Sequence, residues 1–172
     1  MRLFVILFIV CNVCLGQQDY NKEINSLRDS VLVHKDSDPD KALTFGFEAL
    51  KIADLSNPIP SLIGIHSQIG EILYYRGLYA DAISFYNEAL TLSEAVPLEF
   101  RVEKKTFLPP WILVNIGNVY FINKDYEKAN LKYNEALLNF KLFENIKNKN
   151  FGISTVYDNL GLIAEMEDDF EL

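Results

Sequence analysis

Cysteine occurs only at Cys11 and Cys14, and histidine only at His34 and His66. Downstream of the first sixteen residues the chain therefore has no thiolate nucleophile, no disulfide and no sulfur ligand for a metal, and its stability must come from packing. Two histidines far apart in sequence do not form a zinc or catalytic cluster. Basic charge is scarce as well. Sixteen Lys and Arg face twenty-four Asp and Glu, a net charge of −8, so the positive field that holds nucleic acid or anionic lipid is missing. Glycine is sparse and never forms a phosphate loop: Gly64, Gly70 and Gly77 recur at helical spacing, which fits close helix packing. With no nucleophile elbow and no paired-acid motif either, the expectation is a protein that is not an enzyme and takes no cofactor and no metal.

Smaller clusters read the same way. The run Lys35-Asp36-Ser37-Asp38-Pro39-Asp40 alternates carboxylates but lacks the glycine and late Glu of a calcium loop, so it is expected to be a turn, with Asp38 or Asp40 capping a helix. His66 is expected to pack between helices. The acidic end Glu165, Glu167, Asp168, Asp169, Glu171 reads as a solvated turn.

Long apolar runs are limited to the start of the chain. Met1-Arg2 followed by Leu3 to Val10 and the small residue Gly16 predicts a signal peptide over 1–16, cut after Gly16, ahead of one domain over 17–172. An exported chain, periplasmic, envelope-associated or secreted, is thus expected. Lipoprotein processing at Cys11 or Cys14 competes with this reading but lacks the Leu and small-residue pattern. A retained anchor is weaker, since Leu3 to Leu15 is shorter than the roughly 20 apolar residues a span needs. Removal of the peptide takes away Arg2 alone among charged side chains, leaving a slightly more acidic chain.

What the rest of the chain has is a repeat. Tyr-Asn-Glu-Ala-Leu stands at Tyr86 to Leu90 and again at Tyr133 to Leu137, an offset of 47 residues that also pairs Ile69-Gly70 with Ile116-Gly117, Tyr79 with Tyr126 and Ala82 with Ala129. A further copy opens at Leu160-Gly161, 44 residues on. Within a copy, Gly70, Leu73 and Gly77 and then Ala82, Tyr86, Ala89 and Ser93 fall at intervals of three and four, the mark of two amphipathic helices. Between them Gly77 can supply the left-handed residue that closes a helix. The unit is a helical hairpin, and its Gly and Ala positions allow two helix axes to approach closely.

These residues resemble the tetratricopeptide repeat, a helical hairpin carrying a Leu-Gly pair, an aromatic, then Ala, aromatic, Ala. Matching positions are Ile69, Gly70, Leu73, Tyr79, Ala82, Tyr86 and Ala89 in one unit. Leu113, Ile116, Gly117, Tyr120, Tyr126, Ala129, Tyr133 and Ala136 match in the next, and Tyr157, Leu160, Gly161, Ala164 and Phe170 in the last. The first unit is degenerate, with Pro39, Ala42, Phe45, Phe47 and Ala49. The resemblance implies an all-α chain of antiparallel hairpins stacked in a right-handed α-solenoid, with units near 23–58, 62–95, 110–143 and an incomplete 154–172. The units recur at longer spacing than the common repeat of about 34 residues, with residues 96–110 as a linker and Pro109-Pro110 restarting a helix at its first turn. That spacing is similar to the exported N-terminal regions of bacterial sensor kinases and regulators.

By the same resemblance the first helix of each hairpin lines a groove that binds a protein or peptide. The positions implied are Ser67, Glu71, Tyr74 and Tyr75, then Trp111, Val114, Asn115, Asn118 and Phe121, then Thr155, Asp158 and Asn159. Asn can bond a peptide backbone, and Trp or Tyr supplies contact area. The Lys and Arg that hold a terminal carboxylate in the family's chaperone clamps are absent here. The expected function is a protein-interaction scaffold of the envelope or secreted space. The alternative is the sensory end of a membrane histidine kinase or transcriptional regulator whose remaining parts lie beyond residue 172. An uncovered last helix adds the expectation of self-association.

Overall fold

The computed structural model describes residues 20–56, 59–96, 109–143 and 145–168. The expected signal peptide, most of the 96–110 linker and the end of the acidic tail lie outside them. Among the described residues every regular element is a helix: α1 (20–34), α2 (Pro39–Ser56), α3 (Ile59–Tyr75), α4 (Tyr79–Glu94), α5 (Pro109–Ile122), α6 (Tyr126–Lys141) and α7 (Ile146–Asp168).

Local chemistry sets the turns. At the end of α3 the backbone closes in a Schellman motif, with Gly77 N donating to Tyr74 O at 2.9 Å and Leu78 N to Leu73 O at 2.9 Å. Gly77 takes the left-handed φ of +75° this motif demands. The turn repeats 47 residues later, where Lys124 N donates to Phe121 O and Asp125 N to Tyr120 O, each at 2.9 Å. There the left-handed residue is Lys124, at φ +61°. The next helix starts at once. Asp125 caps α6 by accepting from Lys128 N, whereas Leu78 at the same place before α4 has no capping side chain. Asp38 caps α2 by accepting from Lys41 N at 3.1 Å, and Asn145 caps α7 by accepting from Asn148 N at 3.0 Å.

Small residues then let the helices close on one another. Ala82 and Ala89 of α4 and Ala129 and Ala136 of α6 are fully buried. Between each pair a tyrosine lies over a glycine of the preceding helix: a Cβ on Gly70 would come within 2.7 Å of the Tyr86 ring, and one on Gly117 would overlap the Tyr133 ring. Gly152 of α7 is filled in the same manner by Phe140. His66 packs against Phe85 at 5.6 Å between ring centroids.

Each second helix packs on its own first helix and on the first helix of the following unit: α4 lies against α3 and α5, and α6 against α5 and α7. First helices also approach one another, α3 with α5 and α5 with α7, while the backbones of α2, α4 and α6 stay apart. A stack that closes on one side and opens on the other curves toward the closed side. The first helices therefore form the inner row of a helical-repeat solenoid. Two apolar clusters run through it, one from Ile24 to Val119 and one from Leu113 to Ile163.

Candidate partner-binding face

The inner row gains its polar ties from residues spaced one unit apart. Lys35 at the end of α1 donates to Glu71 of α3 at 2.8 Å, and this hydrogen bond holds the Lys35 ammonium above its ordinary value. Arg28 of α1 crosses Gly64 and donates to Gln68 at 3.3 Å. Its burial lowers the guanidinium pKa. Arg76 pairs with Asp40 across the neighbouring turn.

The asparagines on α5 hold tyrosines. Asn118 Oδ1 accepts from the Tyr133 hydroxyl at 2.7 Å and from Asn159 Nδ2 of α7 at 3.3 Å, while Asn115 is hydrogen-bonded to the Tyr86 phenol. Burial pushes both phenols well above the ordinary tyrosine value, so both hydroxyls stay protonated and Tyr133 remains a donor. The structure thus brings Asn118 and Asn159 together and engages Asn115 and Asn118 with second-helix tyrosines.

The aromatic positions separate into two kinds. Trp111 meets Phe140 at 4.8 Å and Phe151 at 5.5 Å between ring centroids, bridging α5, α6 and α7. Phe121 packs on Tyr126 at 5.6 Å. Tyr74, half-buried between Tyr75 and Tyr79, has its phenol raised chiefly by that burial. Tyr75 is different, 73% exposed. Asp158 is exposed, and Glu71 faces Lys35.

Tyr75 stands five residues after Gly70. The same step from Gly117 reaches Ile122, 42% exposed, and from Gly161 reaches Met166, 36% exposed, with Leu162 exposed one turn before it. Three first helices therefore present an apolar side chain in one register. Ile122, Leu162 and Met166 are not among the positions expected to line the groove, which were mostly polar and aromatic. The glycine offset, extended by five residues, reaches Ile122 and Met166, and Leu162 lies one turn before the second of them.

Among the described residues no helix is long and apolar enough to cross a membrane, and no group of three or more His, Cys, Asp or Glu is placed to hold a metal ion.

Comparison with known proteins agrees with this architecture. Residues 63–96 match the tetratricopeptide repeat family. The structure is similar to the TPR domain of Arabidopsis FLU, with 21% identity and a TM-score of 0.61 over 71% of this chain and 98% of that one. It is also similar to BtubC from P. vanneervenii, with 21% identity and a TM-score of 0.70 over 94% of this chain and 66% of that one. No curated protein sequence matches the chain. At these identities the likeness is one of fold, and the chain has the fold of a tetratricopeptide-repeat domain.

Proposed function

We propose that the chain is a protein-interaction scaffold that holds a segment of a partner protein along its inner helical row. The observation that supports this most is the register of exposed apolar side chains, Tyr75, Ile122 and Met166, on three successive first helices. Periodic apolar anchors on a preformed concave surface suit an extended or helical peptide with apolar side chains of its own. Of the two carboxylates expected on this face, Glu71 is already paired with Lys35, which leaves the exposed Asp158 on α7 open to a basic group on the peptide. Asn115 and Asn118 help by fixing the row in place through Tyr86 and Tyr133. The fold's role as a non-catalytic interaction module supports the same reading.

The scaffold is placed in an exported compartment, on the strength of Met1-Arg2, the apolar run Leu3 to Val10 and Gly16.

Peptides selected from a displayed random library on the purified chain test the reading. A Tyr75→Ser, Ile122→Ser, Met166→Ser variant should lose their binding with its circular dichroism unchanged. Binding that survives those three changes would move the site off the inner row.

A further inference from the structure

We propose that two copies of this chain pair through the outer face of α6, Leu131 and Leu138 of one copy set against Leu138 and Leu131 of the other. That face is turned away from α5 and α7, and the inference does not rest on the peptide reading.

Ala129, Tyr133, Ala136 and Phe140 take the side of α6 that is buried against its neighbours. Leu131, Leu138 and Leu142 fall at steps of seven and four residues on the opposite side, and they are 63%, 65% and 69% exposed. The preceding unit shows why that side is bare. Forty-seven residues earlier the same positions are Ser84, Thr91 and Ala95, and all three are exposed although α4 is followed by both α5 and α6. A following unit does not cover this face. In α2, where Ala42 holds the place of Ala82, the corresponding residues are Thr44 and Lys51, again exposed. One outward register therefore carries small or polar side chains in two helices and leucine three times in the third. Apolar residues scattered singly on a surface are ordinary, but a stripe at helix-pairing spacing marks an interface.

Charge selects what covers it. Glu127 and Lys141 are both exposed, at opposite ends of α6 and on the same flank of the stripe. Parallel pairing would set like charges together at both ends. An antiparallel two-fold axis between Asn134 and Glu135 instead lays Leu131 on Leu138 and brings Glu127 beside Lys141, each contact occurring twice. Near that axis Lys132 and Glu135 already form an ion pair at 2.8 Å, so no unpaired carboxylate meets its own copy. A lipid surface fits less well. Along the helix Asp125, Glu127 and Glu135 balance Lys128, Lys132 and Lys141, which leaves no basic field for anionic headgroups.

Sedimentation equilibrium of the purified chain over a wide dilution series tests this. A reversible, weak dimer is expected, because three leucines from each copy make a small interface. Leu138→Gln should raise the dissociation constant about tenfold or more, with helicity unchanged because the side chain is exposed within the single chain. Glu127→Lys and Lys141→Glu should each weaken the dimer. An equimolar mixture of those two variants should regain it, since both cross-pairs then join opposite charges. A monomer at every concentration, a dimer indifferent to Leu138→Gln, or a mixture no tighter than its components overturns the proposal. Peptide capture by the inner row should be untouched by Leu138→Gln, so the two readings fail separately.

Discussion

The ring of Tyr133 occupies the place a Cβ on Gly117 would take, while its hydroxyl donates to Asn118, the very next residue, at 2.7 Å. One side chain therefore fixes both how closely α6 approaches α5 and how the Asn118 amide is turned. The ring cannot swing away, because it is fully buried and tethered at its far end. Gly117→Ala should cost about 1–3 kcal/mol by overpacking, although alanine is the better helix former by about 1 kcal/mol. Urea denaturation of the two proteins measures the difference. A variant as stable as the parent would mean that the helices do not meet at this point.

Asn118 also decides whether the inner row is a rigid or an adaptable surface. Its Oδ1 accepts from Tyr133 and from Asn159, joining three helices. Tyr133→Phe removes one donor and should lower stability by about 1 kcal/mol. A double-mutant cycle with Asn118→Ala should show a coupling of about 0.5 kcal/mol or more. Independent effects of the two changes would place the amide elsewhere and return it to the peptide.

Trp111 is the single tryptophan of the chain, and its contacts with Phe140 and Phe151 place it at the junction of three helices. Trp111 is partly buried against the second apolar cluster, so Trp111→Ala should cost on the order of 2 kcal/mol, less than the roughly 3–5 kcal/mol of a large aromatic removed from a core. Unfolding of α7 should therefore appear directly in its fluorescence. If instead the substitution abolishes peptide binding and leaves the melting temperature unchanged, the indole belongs to the groove.

The repeat was legible in the sequence because packing at short range leaves a periodic trace. Gly70 and Gly117, Tyr86 and Tyr133, and the alanines beside them recur at one offset, and each is buried as that recurrence implies. The use of the polar residues was not legible. Whether Asn118 faces a peptide or a tyrosine depends on Tyr133 and Asn159, fifteen and forty-one residues away, and no local spacing records such pairings. Ile122 and Met166 escaped for the opposite reason. An apolar residue at a helix end reads as core until its neighbours are known, and here they leave it exposed.

Asp125 and Lys128 link the cap of α6 to pH. The hydrogen bond from the Lys128 side chain, ahead of the backbone bond and simple attraction, lowers the Asp125 carboxyl below its ordinary 3.8, and the same contact raises Lys128 above 10.5. The stabilisation due to Asp125 is fully present above 3.8 and is lost as the pH falls through its lower folded value. That due to Lys128 is present below 10.5 and is lost as the pH rises through its higher folded value. Asp125→Asn keeps a capping side chain and removes the charge. Thermal melts in low salt should show the widest gap from the parent at neutral pH, narrowing on acidification and on adding salt. A gap that stays constant into strong acid would assign the loss to cap geometry rather than to charge.

Gly77 and Lys124 occupy the same place in successive turns with different residues. Both adopt left-handed φ, +75° and +61°, and both close a Schellman motif with bonds of 2.9 Å. For lysine that conformation costs roughly 1–2 kcal/mol, while glycine adds about 0.5–1 kcal/mol of chain entropy to be lost on folding. Lys124→Gly should therefore stabilise by about 0.5–1 kcal/mol, and for a domain of this size the melting temperature should rise by about 1–3 °C. Gly77→Lys should lower it by a comparable amount. A Cβ at Gly77 has no neighbour within 4 Å, so the effect of this second change isolates backbone strain from packing. Should both variants melt with the parent, the α5–α6 turn would not hold its left-handed residue in solution. The approach of Tyr133 to Gly117, which that turn sets, would then need another cause.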